Sequence, residues 1–207
     1  AQRLGDAYVE LGCEPTFTCA PYLLPSSRPK LGENVCWGES NAVVFANTVC
    51  GARTQKCGDF LDLAVAMTGR APYVSTHIEE NRKASIVLNV PERIVQDAKH
   101  DDSFYAMLGY LAGRESKGKI PLVSGLDVKC VSEDRLKSFC AAFGTSGSVS
   151  MCHIDGVTPE SFAQQQCDEF VTITDEMFRD VWCTFNSNDD DDRVDLVALG
   201  NPHFSLT

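Results

Sequence analysis

The run Lys83-Ala-Ser-Ile-Val-Leu-Asn-Val90 constrains this chain more than any other stretch. It is rich in branched apolar residues and lacks the polar alternation of a half-exposed strand, so it reads as a strand covered on both faces. Such strands belong to parallel sheets, whose connections cross over through helices. Helical periodicity surrounds it. Leu4, Ala7, Tyr8 and Leu11 share a face within residues 1–11, and Phe60, Leu63, Ala64 and Met67 do so within 59–69, where Gly69 stops the helix. Residues 103–113 align Phe104, Met107, Leu108 and Leu111, Ser132 caps a helix through Phe143, and another covers 175–185. Thr158-Pro159-Glu160 has the local chemistry of a helix start. Further strands are expected at Ile120–Val123, Val149–Ile154 and Val194–Leu199, the last delivering Gly200-Asn201-Pro202-His203. Residues 12–36 are loop. The predicted class is α/β, a mostly parallel sheet with helices on both faces, and an opening helix with no strand before it suggests a partial chain.

At 207 residues and 43% hydrophobic content the chain can bury a sizeable core. A formal charge of −11 argues against nucleic acid or an anionic membrane as partner. No apolar window approaches a membrane span, and the N-terminal sequence reads as an amphipathic helix rather than a signal peptide. The ten cysteines show neither CxxC pairs nor the packed spacing of a disulfide scaffold. Several lie in apolar runs, which predicts reduced, mostly buried thiols and a cytoplasmic protein.

Candidate chemistry centres on residues 39–53. Glu39, Ser40 and Asn41 open the apolar run Ala42–Ala46, with Ser40 as a fair N-cap and Gly51 as a left-handed terminator of a helix over 40–50. The head of that helix would show three polar side chains to an anionic ligand, or serve as an ordinary buried cap. Upstream, Cys19 sits on a proline-bounded loop, free to offer a thiolate to a metal or an electrophile, or to pack as a small hydrophobe. Arg53 and, more weakly, Arg70 are candidate anion clamps, whereas Arg82 reads as an ion-pair partner. Ser146 lies in a small-residue loop, Thr145–Ser148, whose N–H groups suit a carboxylate or phosphate, or which is a plain turn. His153 ends a strand, where ligands of α/β folds gather, with a packed structural histidine as the alternative. Tyr22, after Pro21, either reaches substrate or packs. Asp189–Asp192 lacks the Gly and Glu of a calcium loop and reads as a solvated turn.

Several blocks together resemble a known family. T-F-T-C-A-P-Y at 16–22, R-P-x-x-G at 28–32, W-G-E-S-N-A-V-V-F-A-N at 37–47 and G-A-R-T at 51–54 are similar to the catalytic subunit of aconitase X. The likeness continues through D-F-L-D-L-A-x-A-M-T-G-R-A-P at 59–72, E-N-R at 80–82, A-M-L-G-Y-L-A-G at 106–113, T-S-G-S-V at 145–149, H-I-D-G-V-T-P-E at 153–160 and D-L-V-A-L-G-N-P-H-F-S at 195–205.

The resemblance implies a hydro-lyase of the aconitase superfamily, with residues 1–207 a catalytic-region segment of a longer protein. The hydroxyproline-type variants in this chain favour cis-3-hydroxy-L-proline, with mevalonate 5-phosphate as the alternative substrate. It implies an iron–sulfur cluster or iron held in part by Cys19. The family's G-C-P-H reads G-N-P-H here, placing Asn201 where a ligand cysteine is usual, and a third thiolate is expected beyond Thr207. An amide is a poor ligand for such iron. Glu39, Ser40, Asn41, Arg53, Ser146 and His153 would contact substrate, and the base is expected upstream, near a Ser-Ala-His motif absent here. The expected partners are the hydroxy-acid substrate and a small subunit or the rest of the same polypeptide. This segment alone is expected to be inactive. The competing expectation is a truncated, non-catalytic domain that binds a small acid or a partner.

Overall fold

Four parallel strands carry the fold: β1 (Ile86–Asn89), β2 (Pro121–Ser124), β3 (His153–Ile154) and β4 (Glu169–Thr172), in the order β3-β2-β1-β4. The structure is a computed structural model and describes residues 2–58, 60–98, 100–163, 167–186 and 195–197. The expected α/β class with a parallel sheet is present. Helices α4 (Glu92–Ala98) and α5 (Asp102–Glu115) link β1 to β2, and α6 (Glu133–Ser146) links β2 to β3. The sequence reading missed α4 and β4. Strand β4 is an edge whose Glu169, Phe170 and Thr172 are exposed, so it has no apolar run to betray it. Strand β3 is shorter than the predicted Val149–Ile154, because the Cys152 N–H is given to the Thr48 hydroxyl at 3.1 Å instead of to the sheet.

The sheet's two faces differ. Ile86 and Leu88 join Val123, Ile154, Leu108, Leu111, Phe139 and Phe143 in the main core. Val87 and Leu122, pointing the other way, form only a small cluster with Ala84. Against the main core α5 and α6 approach very closely. A Cβ on Gly109 would lie 2.2 Å from the Phe139 carbonyl oxygen, and one on Gly113 would lie 2.7 Å from the Gly147 backbone nitrogen. Glycine is required at both positions by backbone contact.

Helix α2 (Ser40–Thr48) is packed on α6, and every residue from Asn41 to Thr48 is buried. Its cap is Glu39 rather than the predicted Ser40, with a Glu39 side-chain oxygen accepting the Asn41 N–H at 3.3 Å. Gly51 has the expected positive φ of 65°, but the helix has already ended at Thr48. Helix α3 (Leu61–Thr68) ends at Gly69 in the left-handed conformation as expected. No residue of α3 or of α1 (Gln2–Glu10) is buried. Their periodicity was sufficient to indicate helices, but not to say what covers them.

The predicted helix start at Thr158 is instead a tight turn followed by a short 3₁₀ turn at Ser161–Ala163. The Thr158 hydroxyl accepts the Ile154 N–H at 2.9 Å and folds the segment back on itself. Helix α7 (Asp175–Phe185) matches its predicted span, capped by Thr174. Of the predicted strand Val194–Leu199, residues 195–197 are described and are not in a strand. Asn201 lies outside the described residues, as do residues 188–193 of the predicted turn.

Candidate active site

Pro21 starts a short 3₁₀ turn, Pro21–Leu23, that carries Tyr22 into the core. Its ring stacks on Phe45 of α2, with centroids 3.9 Å apart, and its hydroxyl donates to Asn41 Oδ1 at 3.2 Å. Burial pushes the phenol well above its ordinary value, and the nearby thiols of Cys140, Cys19 and Cys50 add to the rise. Tyr22 therefore stays protonated and donates. That bond orients the Asn41 amide. Asn41 is 5% exposed, and its Nδ2 has no hydrogen-bond partner among the described residues. Leaving such a buried donor unmade costs about 1–3 kcal/mol. Beside it, the Ser40 hydroxyl donates to Glu39 Oε1 at 3.4 Å. Half-buried Cys19 precedes the Tyr22 turn. Arg28 borders the same place, paired with Glu133 at 2.7 Å and lying over the Phe45 ring at 5.8 Å. The head of α2 thus gathers Cys19, Tyr22, Glu39, Ser40 and Asn41.

The other end of α2 is organised differently. Asn47, fully buried, donates from Nδ2 to the carbonyls of Thr54 and Ser150, both at 2.9 Å. Its Oδ1 accepts from Thr54 N at 3.1 Å and from Arg82 Nη1 at 3.0 Å. Arg82, 2% exposed, also donates to the Thr76 carbonyl at 2.8 Å and to Glu160 through Nε at 3.1 Å. Arg53 pairs with Glu79 and, at 2.9 Å, with Glu160, and donates to the Gly51 carbonyl. Its guanidinium is therefore engaged by carboxylates of the chain itself. His153, 1% exposed, donates from Nε2 to the Arg82 carbonyl at 2.7 Å. Burial holds its pKa below the ordinary histidine value, so the ring is neutral.

Ser146 belongs to neither group. It is the last residue of α6, not part of a loop, and its hydroxyl donates to the Ala142 carbonyl at 3.0 Å. The Gly147 N–H is likewise used by the Phe143 carbonyl at 2.8 Å. Among the predicted contact residues, the structure brings Glu39, Ser40 and Asn41 together and sets Arg53 and His153 in the network at the opposite end of α2. Arg28, which sequence reasoning did not single out, stands at the head. Its place in the R-P-x-x-G block was the available signal.

Two clefts open elsewhere. One of about 250 Å³ is lined by Lys56, Thr76, Ser148 and Ser150, and one of about 480 Å³ lies beyond the ends of β1 and β2, beside Asn89, Gly125 and Asp127. Neither is lined by Asn41 or Cys19, and chemistry rather than size marks the α2 head. As to iron, no group of three His, Cys, Asp or Glu side chains that could hold a metal occurs among the described residues. Cys140 and Cys152 are fully buried, and burial raises both thiols, Cys152 to about 12. The described donors do not by themselves fit an iron–sulfur cluster.

Residues 1–80 match the family model for the aconitase X first domain, and residues 84–183 that for the second domain. The chain belongs to the aconitase X family. It is 51% identical over 212 aligned residues to the cis-3-hydroxy-L-proline dehydratase of Hypocrea jecorina and 46% identical to that of Pseudomonas aeruginosa. All of this chain is covered in both alignments, against 35% and 36% of those proteins, so it spans about a third of their length. The phosphomevalonate dehydratase large subunit of Methanocaldococcus jannaschii is 34% identical, with 99% of this chain and 51% of that protein covered. The crystal structure of holo aconitase X from Thermococcus kodakaraensis superposes with a TM-score of 0.78 at 31% identity, over 89% of this chain and 46% of that one.

Proposed function

We propose that the protein of which this chain forms part is an aconitase X hydro-lyase that eliminates water from cis-3-hydroxy-L-proline. The higher identity to the hydroxyproline dehydratases than to the phosphomevalonate enzymes supports that substrate. The observation that carries the site is the buried Asn41 Nδ2 at the N-terminal end of α2, which has no partner among the described residues. The Nδ2 group carries two hydrogens that a substrate carboxylate or hydroxyl would satisfy. The helix dipole favours an anion at the same end. Glu39 holds the first turn, and protonated Tyr22 fixes which way the amide points. Arg53 and His153 act in this reading as scaffolding for the far end of α2, and Ser146 as part of the α5–α6 contact. The proton-abstracting base would come from outside the described residues. A small subunit or a further part of the polypeptide would complete the site, in a cytoplasmic enzyme; no helix of the described residues is long and apolar enough to cross a membrane.

The test is the full-length protein incubated with cis-3-hydroxy-L-proline and, separately, with mevalonate 5-phosphate, with loss of about 18 Da of water followed by mass spectrometry. Turnover of the first and not the second is expected. Asn41→Ala should lower kcat/KM by about tenfold or more, the loss of a hydrogen bond to a charged group. Turnover of mevalonate 5-phosphate alone would overturn the substrate, and unchanged kinetics in Asn41→Ala would overturn the site.

A further inference from the structure

We propose that Cys36 and Cys57 are a redox-active pair, a modification site at which a peroxide closes an intramolecular disulfide across the two flanks of α2. Their Sγ atoms lie 3.3 Å apart, the Cys36 thiol donating to the Cys57 sulfur. Cys36 precedes α2 and Cys57 follows it, so the fold, not sequence proximity, brings them together. The backbone on each side is tied down. Val35 N–H donates to the Arg53 carbonyl at 3.0 Å and Arg53 N–H to that of Glu33 at 2.7 Å. Lys56, next to Cys57, grips the carbonyls of Gly144 and Gly147 at 3.0 and 2.9 Å. A disulfide requires sulfurs about 2.05 Å apart, so closure brings the two about 1.2 Å closer than they stand.

Access and chemistry agree. Both thiols are half-buried, whereas Cys140 and Cys152 are sealed in the core. Burial first, and then the bond to Cys57, pushes the Cys36 thiol up to about 12. Cys36 keeps its proton, and Cys57 meets the oxidant. The Cys57 sulfur attacks hydrogen peroxide, the O–O bond breaks, and a sulfenic acid and one water result. The Cys36 sulfur then displaces the sulfenic hydroxyl, forming the S–S bond and losing its proton with the second water. Two thiols are oxidised and one peroxide is reduced to two waters. The product clips together the segments entering and leaving the helix that carries Asn41.

Stoichiometric hydrogen peroxide should convert the full-length protein to a species lighter by about 2 Da for this pair, restored by dithiothreitol. Peptide mapping without reductant should join the Cys36 peptide to the Cys57 peptide. In Cys36→Ser and in Cys36→Ala, Cys57 should instead become trappable by dimedone, and the cross-link should vanish. Peptides cross-linked through other cysteines with 36 and 57 left reduced would overturn the proposal. So would independent overoxidation of both thiols in the wild-type protein, which needs no variant to fold.

Discussion

Two asparagines on one helix, six residues apart, lead opposite lives. Asn47 spends both amide hydrogens and both oxygen lone pairs on Thr54, Ser150 and Arg82. Asn41 has a bond from Tyr22 to its oxygen, and its nitrogen has no partner among the described residues. Both are buried, so solvent does not account for the difference. At the tail of α2 the polar groups hold the chain together. At the head a donor is kept in readiness at a desolvation cost, which is what a binding site requires. The Thr54 hydroxyl, near the tail, and His77 Nε2 also lack partners among the described residues. The Asn41 amide is distinguished by its place at a helix N-terminus, with its oxygen held by the Tyr22 hydroxyl.

The largest expected effect is at the tail. Arg82→Leu should destabilise the protein by about 3–5 kcal/mol, because the buried Thr76 carbonyl and Asn47 lose their donor and Glu160 loses an arginine partner. A urea unfolding midpoint close to wild type would break the contrast at its stronger end. Next, Asn47→Ala should cost more than about 2 kcal/mol, since it strands several buried backbone groups, while Asn41→Ala should stay within about 1 kcal/mol. Equal shifts for the two variants in the same denaturant titration would make Asn41 structural too. Tyr22→Phe should cost about 1 kcal/mol, keep the stack on Phe45, and weaken substrate binding by freeing the amide to turn. A KM identical to wild type would remove Tyr22 from the site.

The smallest effect is a pH dependence. Burial holds His153 below its ordinary value of 6.5, so the unfolded chain takes up a proton there before the folded one does. Its contribution is complete above pH 6.5 and declines as pH falls from there toward the folded value. His77 is lowered for the same first reason and adds in the same direction. His153→Gln should flatten part of the fall in unfolding midpoint as pH is lowered below about 6.5. A slope unchanged by the substitution would mean His153 is not held neutral by the fold.

Much was legible before the fold was known. The branched apolar run at 83–90 announced a covered strand, and the helical periods placed α5, α6 and α7, because side-chain pattern and backbone period are linked locally. The family blocks identified aconitase X, and Glu39, Ser40 and Asn41 could be grouped because they adjoin in the chain. Edge strand β4 and helix α4 were missed, their short apolar patterns being weak. The tight turn at Thr158 was misread because a hydroxyl bond back to Ile154 outweighed a good local helix start.

What the sequence determined by itself was therefore the class of fold, the family and the polar trio that opens α2, all of which rest on period and adjacency. What only the tertiary structure decided was which polar groups are already spent. Arg53 was a plausible anion clamp until Glu79 and Glu160 were found beside it, and His153 a plausible ligand until its ring met the Arg82 carbonyl. Tyr22 and Asn41, or Cys36 and Cys57, are too far apart in the chain for local rules to pair them. Partners distant in sequence are chosen by packing, and in a buried site the partner decides whether a side chain holds the fold or waits for a ligand.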